Sequence, residues 1–251
     1  MKILVVGESC KDVFTYGDCS RLTPEAPVPV FNPIKVVENG GMAKNVQKNI
    51  LALGVECNLL TNDNWKDIKK NRYIEQRSNH MFIRVDENDK KYGRIDIDNF
   101  DFSSYDAIVI SDYNKGYLSE QDIEKISLLH DNTFLDTKKI LGKWCHNIGY
   151  IKINNFEHEK TKHILDNNIK KKLIVTLGSD GASHNKVIYP VERVEIKDVA
   201  GAGDTFISGL AVKYTQTKDI SKSIKFANLC ATNVVQKRGV NTLEIGDKDE
   251  L

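Results

Sequence analysis

The chain has 251 residues, of which 40% are hydrophobic, and its 36 basic and 35 acidic residues leave a formal net charge of +1. A chain of this length and composition can bury one substantial core, so we expect a single domain over residues 1–251. The balanced charge excludes a general attraction to nucleic acid or to an acidic membrane surface. No apolar stretch approaches the length of a membrane span, and the predicted location is cytoplasmic.

Short apolar runs with strand-like composition alternate with helix-like segments along the chain. The first run ends in Gly7, which is typical of a buried parallel strand whose carboxyl end opens into a site. The predicted strands are residues 2–6, 57–60, 107–110, 133–135, 150–153 and 173–177, and the predicted helices are residues 41–53, 119–129 and 155–167. This alternation predicts a mostly parallel sheet with helices on both faces and a ligand at the carboxyl ends of its strands.

Two stretches break the alternation. Residues 24–37 contain prolines at 24, 27 and 29, which suit an extended or edge segment because proline cannot donate to a strand ladder. Residues 80–85 and 92–97 predict a hairpin that turns at Asp89 and Lys90. Together these stretches predict a small β-sheet over the site, with lid segments at about residues 13–37 and 80–97.

The most informative stretch is residues 198–206, in which three small residues precede an acid at the start of an amphipathic run. Gly201, Ala202 and Gly203 allow the backbone to approach a ligand, and a helix is expected to begin near residue 203. The first amides of a helix lack partners, and with the helix dipole they can bind a phosphate. Asp204 in the first turn can then face a hydroxyl, and the arrangement indicates phosphoryl transfer.

Weaker signals lie at the ends of the first predicted strands. Gly40 and Gly41 precede a helix, where they can bring the backbone close to a substrate, with Asn45 one turn further on; a flexible turn is the simpler interpretation of the glycine pair alone. Asp12 follows the first strand and can accept hydrogen bonds from sugar hydroxyls. The alternative for Asp12 is a solvated loop aspartate.

Two further signals follow later strands. Asn154 and Glu157 are three residues apart and can hold a hydrated Mg²⁺, although such a pair is more often a helix cap. Thr176, Gly178 and Gly181 end a strand in a glycine turn that can receive nucleotide phosphate or ribose, or be an ordinary turn. Because all these signals fall at predicted strand ends and call for one ligand set, their agreement favours the functional interpretation.

The sequences D-V-A-G-A-G-D at 198–204 and G-G-M-A-K-N at 40–45 resemble the late and early signatures of the ribokinase-like (PfkB) family of carbohydrate kinases. Within that family the chain is most similar to kinases of D-glycero-D-manno-heptose 7-phosphate, through residues 20–30, 83–87 and 111–116. The resemblance covers nearly the whole chain, and residues 237–242 fit the family's closing segment. It implies a three-layer α/β/α fold with a mostly parallel central sheet and a small β-sheet lid.

The resemblance also implies a role for each candidate residue. Asp204 is the expected catalytic base, next to an anion hole formed by the amides of Ala202 and Gly203 after Gly201. The expected sugar ligands are Asp12, Gly40, Gly41 and Asn45, with Arg84 and Lys115 for the sugar's existing phosphate. The expected Mg-nucleotide ligands are Asn154, Glu157, Thr176, Gly178 and Gly181, with Asn228 near the adenine.

The implied cofactors are ATP, Mg²⁺ held through water by Asn154 and Glu157, and a monovalent cation such as K⁺ near Asp198. Ala200 stands where the family usually has a hydroxyl residue, and Val199 replaces a common threonine, so this cation site departs from the pattern. Residues 61–79 are shorter than the corresponding family stretch, which predicts that part of the sugar pocket is rebuilt.

The predicted function is ATP-dependent transfer of a phosphoryl group to O1 of D-glycero-D-manno-heptose 7-phosphate, a step towards lipopolysaccharide or capsule. The alternatives are a kinase of another sugar or sugar phosphate, and a non-catalytic sugar- or nucleotide-binding protein of the same fold. Exposed lid strands predict a homodimer through the lid. As a carboxylate at a helix N-terminus, Asp204 is expected to be acidic and therefore a weak base.

Overall fold

The computed structural model describes residues 1–237 and 242–244. Most of the predicted closing segment, residues 238–241, therefore lies outside the described residues. Within them the chain forms a large sheet of eight strands and a separate sheet of four. The strands of the large sheet are β1 (Lys2–Gly7), β4 (Glu56–Leu60), β7 (Ala107–Asp112), β8 (Thr133–Thr137), β9 (Tyr150–Asn154), β10 (Leu173–Thr176), β11 (Ala182–His184) and β12 (Val187–Tyr189).

The large sheet has the order β12-β11-β10-β9-β8-β7-β1-β4. Its strands from β4 to β10 run parallel, and β11 and β12 continue it antiparallel at one edge. The sequence prediction of a mostly parallel sheet is confirmed. Alternate residues of β1 show why both faces are covered, since Ile3 and Val5 pack into one buried cluster while Leu4 and Val6 pack into another.

Helices lie on both faces of this sheet. One face is covered by α1 (Ala43–Ala52), α5 (Ala202–Thr217) and α6 (Ile220–Val235), and the other by α2 (Glu120–Leu129) and the short α3 (Asn155–Thr161) and α4 (Asn167–Lys172). The predicted helix over 155–167 is wrong in extent, because a turn interrupts it after α3 and Asp166 caps α4 as a new start. No helix among the described residues has the length and apolar character needed to cross a membrane.

The four-stranded sheet consists of β2 (Ser9–Asp18), β3 (Asn32–Met42), β5 (Lys69–Glu75) and β6 (Met81–Glu87), in the order β3-β2-β5-β6. We call it the lid sheet. The predicted hairpin between 80–85 and 92–97 is wrong: β6 pairs antiparallel with β5, and residues 91–97 form no strand. β5 was not predicted from the sequence, because charged and polar side chains along it leave no apolar alternation.

The two faces of the lid sheet differ in chemistry. Phe14, Arg72 and Arg84 are register partners across β2, β5 and β6 and share one face with Asp12. That face turns towards the large sheet, where Asp12 and Phe14 are buried. The opposite face carries the register row Val36, Thr15, Tyr73 and Ile83, which is largely exposed.

Candidate active site

The carboxyl ends of β7 to β10 meet the first turn of α5 at a cavity of about 240 Å³. Charged and polar side chains dominate its lining: Tyr113, Asp136, Lys138, Lys152, Asn154 and Asp204. A second cavity of about 420 Å³ lies beyond that turn, between α5, α6 and residues 191–199. Thr176 and Gly203 line both cavities, so a ligand in one can meet a ligand in the other at Gly203.

Asp204 is buried in the first turn of α5 and lines the smaller cavity, next to Gly203, which lines both. Its Oδ2 accepts a hydrogen bond of 2.8 Å from the side-chain amide of Asn45 on α1, and its Oδ1 accepts one of 2.9 Å from the hydroxyl of Tyr113. The two donors fix the plane of the carboxylate. Asn45, expected at the sugar, therefore also contacts the expected base directly.

The expectation that Asp204 is unusually acidic is wrong. Burial raises its pKa from 3.8 to about 6, and the negative charge of Asp136 adds to the rise. The hydrogen bonds from Asn45 and Tyr113, together with the charge of Lys152, lower the pKa and only partly offset the burial. A carboxylate with a pKa near 6 is ionised at neutral pH and is a stronger base than an exposed aspartate.

The N-terminus of α5 presents free amides to the same point. Gly201 takes a left-handed backbone conformation (φ 85°) as the residue before the helix. The N–H of Ala202 donates to the carbonyl of Val199 at 3.3 Å, which corrects the expectation that this amide lines the anion hole. The N–H groups of Gly203 and Asp204 have no backbone acceptor among the described residues, so they are the donors available to an anion.

A lysine lies against this helix terminus. The Nζ of Lys152 would be 2.8 Å from a Cβ placed on residue 203, so glycine is required there for the ammonium to come this close. Lys152 is buried, and its Nζ donates to Oδ2 of Asp136 at 2.8 Å on the neighbouring strand. Lys138 also lines the cavity and pairs with Glu157. The ammonium of Lys152 and the free amides of α5 thus converge on one position for a phosphate.

Asn154 and Glu157 form the cap of α3. The side chain of Asn154 accepts the N–H of Glu157 at 2.9 Å, and the side chain of Glu157 accepts the N–H of Asn154 at 2.8 Å. No group of three or more His, Cys, Asp or Glu side chains among the described residues could hold a metal ion. The pair is therefore the helix cap that the sequence offered as the alternative, and Asn154 also lines the smaller cavity.

The larger cavity contains the expected nucleotide residues. Thr176, Gly178, Gly181 and Asn228 all line it, among mostly apolar side chains from residues 191–199 and α6. Asn228 is buried and donates from its side chain to the carbonyl of Tyr189 at 2.8 Å. The larger cavity has apolar side chains along one part of its lining, and glycines and the N-terminus of α5 along another. Such a cavity suits a flat base against the apolar part and phosphates against the glycines.

Of the expected sugar residues, Asp12, Gly40 and Gly41 belong to the lid sheet, and Asn45 lies on α1. Oδ1 of Asp12 accepts a hydrogen bond of 2.6 Å from Arg72, and a Cβ on Gly41 would lie 2.4 Å from Oδ2 of Asp12. Gly40 contacts the side chain of Lys44 instead. Asp198, the expected cation ligand, lies away from these residues, and its Oδ1 accepts the N–H of Ala200 at 2.9 Å.

Arg84 and Lys115, the expected phosphate ligands, are held in ion pairs. Arg84 forms a two-point pair with Asp86, with distances of 2.7 and 2.8 Å. Lys115 pairs with Asp89, which also accepts from Lys70 at 3.0 Å. The structure thus links both residues to a network of charges on the inner face of the lid sheet.

Sequence reasoning missed five residues of the site: Arg72, Tyr113, Asp136, Lys138 and Lys152. A signal existed for Lys152, which is a lysine inside the otherwise apolar strand β9. Tyr113 lies in a segment that carried the family resemblance, but it had no assigned role. Arg72 and Asp136 give no local signal, because their importance depends on neighbours more than ten residues away.

Comparison with known proteins agrees with this geometry. Residues 146–245 match the family model described as pfkB family carbohydrate kinase. The chain is 29% identical over 306 aligned residues to the Bifunctional protein HldE of Sulfurimonas denitrificans, covering 99% of this chain and 64% of that protein. The chain spans less than two thirds of the length of the curated relatives it matches. The alignment is longer than this chain of 251 residues because the relative has segments that the chain lacks.

Solved structures share the fold. The nucleoside kinase of Methanocaldococcus jannaschii, an archaeal member of the ribokinase family, superposes with a TM-score of 0.73 at 17% identity, covering 99% of this chain and 97% of that one. Phosphofructokinase-2 of Escherichia coli in complex with potassium gives 0.70 at 13% identity, with the same coverage. At these identities the likeness establishes the fold.

The large sheet and the separate lid sheet together define a ribokinase-like fold. Within that fold class, the chain is similar over residues 146–245 to the pfkB family of carbohydrate kinases, and over nearly its whole length to the Bifunctional protein HldE at 29% identity.

Proposed function

We propose that the chain transfers the γ-phosphate of ATP to a sugar that already carries a phosphate, with O1 of D-glycero-D-manno-heptose 7-phosphate as the acceptor. The observation that carries the transfer is the position of Asp204, a buried acid that lines the smaller cavity directly after Gly203, the residue shared by both cavities. The acceptor is supported by the local resemblance of residues 20–30, 83–87 and 111–116 and by the charges of the lid sheet.

In the proposed reaction, ATP lies in the larger cavity with its γ-phosphate at the N-terminus of α5. The acceptor hydroxyl lies against Asp204 and attacks phosphorus in line, and its proton passes to the carboxylate. The free amides of Gly203 and Asp204 and the ammonium of Lys152 stabilise the charge on the transferred group. Mg²⁺, when bound, neutralises charge on the nucleotide phosphates, with Asn154 and Glu157 as its expected contacts through water.

The lid supports an acceptor that is already phosphorylated. Arg72 and Arg84 are direct cross-strand partners on β5 and β6, and like charges in this arrangement repel each other. Arg84 is neutralised by Asp86, whereas Arg72 contacts Asp12 through one nitrogen and leaves the rest of its planar fork open. A phosphate between the two guanidinium groups would remove the repulsion and accept paired hydrogen bonds.

A monovalent cation near Asp198 is a further proposal. One oxygen of Asp198 accepts the N–H of Ala200, which leaves the other oxygen for an ion. A potassium titration of turnover would test this site. The cytoplasmic location remains a prediction from the sequence.

We also propose that two copies of the chain associate through the outer face of the lid sheet. Ile34, Val36, Ile83 and Val85 are apolar and exposed there. Apolar side chains clustered on one face of a small sheet are typical of a surface that is covered by a partner.

The decisive experiment measures ADP release from Mg-ATP across a panel of sugars with and without a terminal phosphate. Turnover with heptose 7-phosphate and not with free heptose is the expected result. Asp204→Asn should lower kcat by at least three orders of magnitude while leaving ATP affinity within about threefold. Turnover with free sugars alone would reject the phosphorylated acceptor, and silence with every sugar would favour a binding protein.

A further inference from the structure

Among the described residues, the hydroxyl of Tyr113 is the only one that hydrogen-bonds to the carboxylate of Asp204, at 2.9 Å from Oδ1. We propose that Tyr113 is a positioning residue for the base, and that its hydroxyl both fixes the Asp204 carboxylate and keeps it ionised at neutral pH. The inference rests on the proposed role of Asp204 as the base.

The loop that carries Tyr113 is held in a defined shape by a buried acid. Glu8 follows β1 and is fully buried. Its two carboxylate oxygens accept the N–H groups of Tyr113 and Lys115, each at 2.9 Å. Between them, Asn114 takes a left-handed conformation (φ 56°) and donates its N–H to Asp112 at 3.1 Å. These bonds fix the backbone from which the tyrosine ring extends towards α5.

Charged and polar groups from α1, from β8 and the residue that follows it, and from β9 surround Asp204. Asn45 on α1 donates to the second oxygen, Asp136 on β8 repels the carboxylate, and Lys152 on β9 attracts it. Lys138 follows β8, with its Nζ 5.6 Å from the centre of the Tyr113 ring. In this balance the tyrosine is a neutral donor at every working pH, because burial and the charge of Asp204 raise its pKa well above the ordinary value.

Removing the tyrosine hydroxyl leaves one acceptor oxygen of a buried carboxylate unpaired. A hydrogen bond to a charged group stabilises the ionised form far more than the neutral one. We therefore expect the proton dissociation constant of Asp204 to fall roughly tenfold or more in Tyr113→Phe. The phenylalanine retains the ring and its packing, so the change isolates the hydroxyl.

The direct test is the ¹³C NMR titration of Asp204 in protein labelled at the aspartate carboxyl carbon, with the resonance assigned by its loss in Asp204→Asn. The midpoint in Tyr113→Phe should move to higher pH, while that in Tyr105→Phe should match the wild type. Tyr105 is a suitable control because its hydroxyl accepts from Asn58 at 3.0 Å at the opposite end of β7. An unchanged midpoint in Tyr113→Phe would overturn the inference.

The titration needs no acceptor, so its outcome is independent of which sugar the enzyme uses. Once turnover is measured, the pH profile gives a second readout. The loss of kcat in Tyr113→Phe should be roughly fivefold or more at pH 6 and nearly absent at pH 8.5, with the KM for ATP unchanged. A loss that is the same at both pH values would mean that the hydroxyl only orients the carboxylate, and it would reject the ionisation role. Nucleotide binding by the variant checks that the site is folded.

Discussion

At the scale of a single residue, the burial that suits Asp204 to catalysis also lowers the stability of the fold. Its carboxylate must be shielded from water to act on a phosphoryl acceptor, and burial disfavours the charge that it needs. The side chains of Asn45 and Tyr113 offset part of this cost, and the residual effect is the pKa of about 6. The same residue that is proposed to carry catalysis is therefore expected to weaken the fold.

This conflict predicts that Asp204→Asn is more stable than the wild type at alkaline pH. The folded-state pKa of about 6 lies above the reference value of 3.8, so protonation stabilises the folded state. That stabilisation is complete below pH 3.8 and is lost as the pH rises through 6. At pH 8 the ionised side chain costs on the order of 3 kcal/mol, which the uncharged asparagine avoids.

Urea unfolding at pH 8 and pH 5 measures the difference. The advantage of Asp204→Asn in the free energy of unfolding should be about half as large at pH 5 as at pH 8. The exposed Asp63 provides the control, since Asp63→Asn should shift stability by the same small amount at both pH values. A variant that is less stable than the wild type at pH 8 would contradict the prediction.

Residue identity in the site was predictable only where a local pattern existed. Asp204, Gly203 and Asn45 occur in short motifs, and the structure brings them to one point. Tyr113 and Asp204 are 91 residues apart, and their contact depends on the order of β7 in the sheet. The raised pKa of Asp204 was equally out of reach, because it depends on how deeply the packed elements bury the side chain.

At the scale of elements, the parallel strands of the large sheet, the helices α1, α2 and α5 and most of β6 were predicted from the sequence, whereas α6, β5, β11 and β12 were not. All six predicted strands of the large sheet exist, and all but the edge strand β4 are largely buried apolar runs. The lid strands β5 and β6 carry charged residues on both faces, and this removed the signal that pairs them. The false hairpin at 92–97 arose because alternating polarity alone does not specify which strand is the partner.

The pairing of β5 with β6 predicts a specific effect of Arg72→Gln. Loss of this guanidinium should raise the KM for the phosphorylated acceptor at least tenfold and leave the KM for ATP unchanged. Because Asp12 also loses its partner, the diagnostic quantity is the ratio of kcat/KM for the phosphorylated sugar to that for the free sugar. This ratio should fall.

Arg77→Gln is the matched control for this change, since Arg77 follows β5 and is 84% exposed. It should leave the ratio unaltered. An unchanged ratio in Arg72→Gln would mean that the acceptor's phosphate binds elsewhere.

At the scale of the whole molecule, the lid sheet is unusual in having chemistry on both faces. Its inner face brings Asp12 and Arg72 to the site, and its outer face exposes an apolar row to solvent. A second copy of the chain that packs its own outer lid face against this apolar row would stabilise the sheet. The same contact would restrain the lid over both sites.

Lysines on this outer face should therefore separate a dimer. Val36 and Ile83 lie in one register row and are 56% and 54% exposed, so their replacement by lysine changes the surface without touching the core. Sedimentation at micromolar concentration should give a dimer for the wild type and a monomer for the double variant. Leu128→Lys on α2 is the control, because Leu128 is 66% exposed on a different surface. A monomeric wild type would refute the dimer, whereas a double variant that stays dimeric would move the interface to another face.

If the pairing also restrains the lid, the monomeric variant should show a higher acceptor KM and faster ATP hydrolysis without acceptor, because a looser lid admits water to the transferred phosphoryl group.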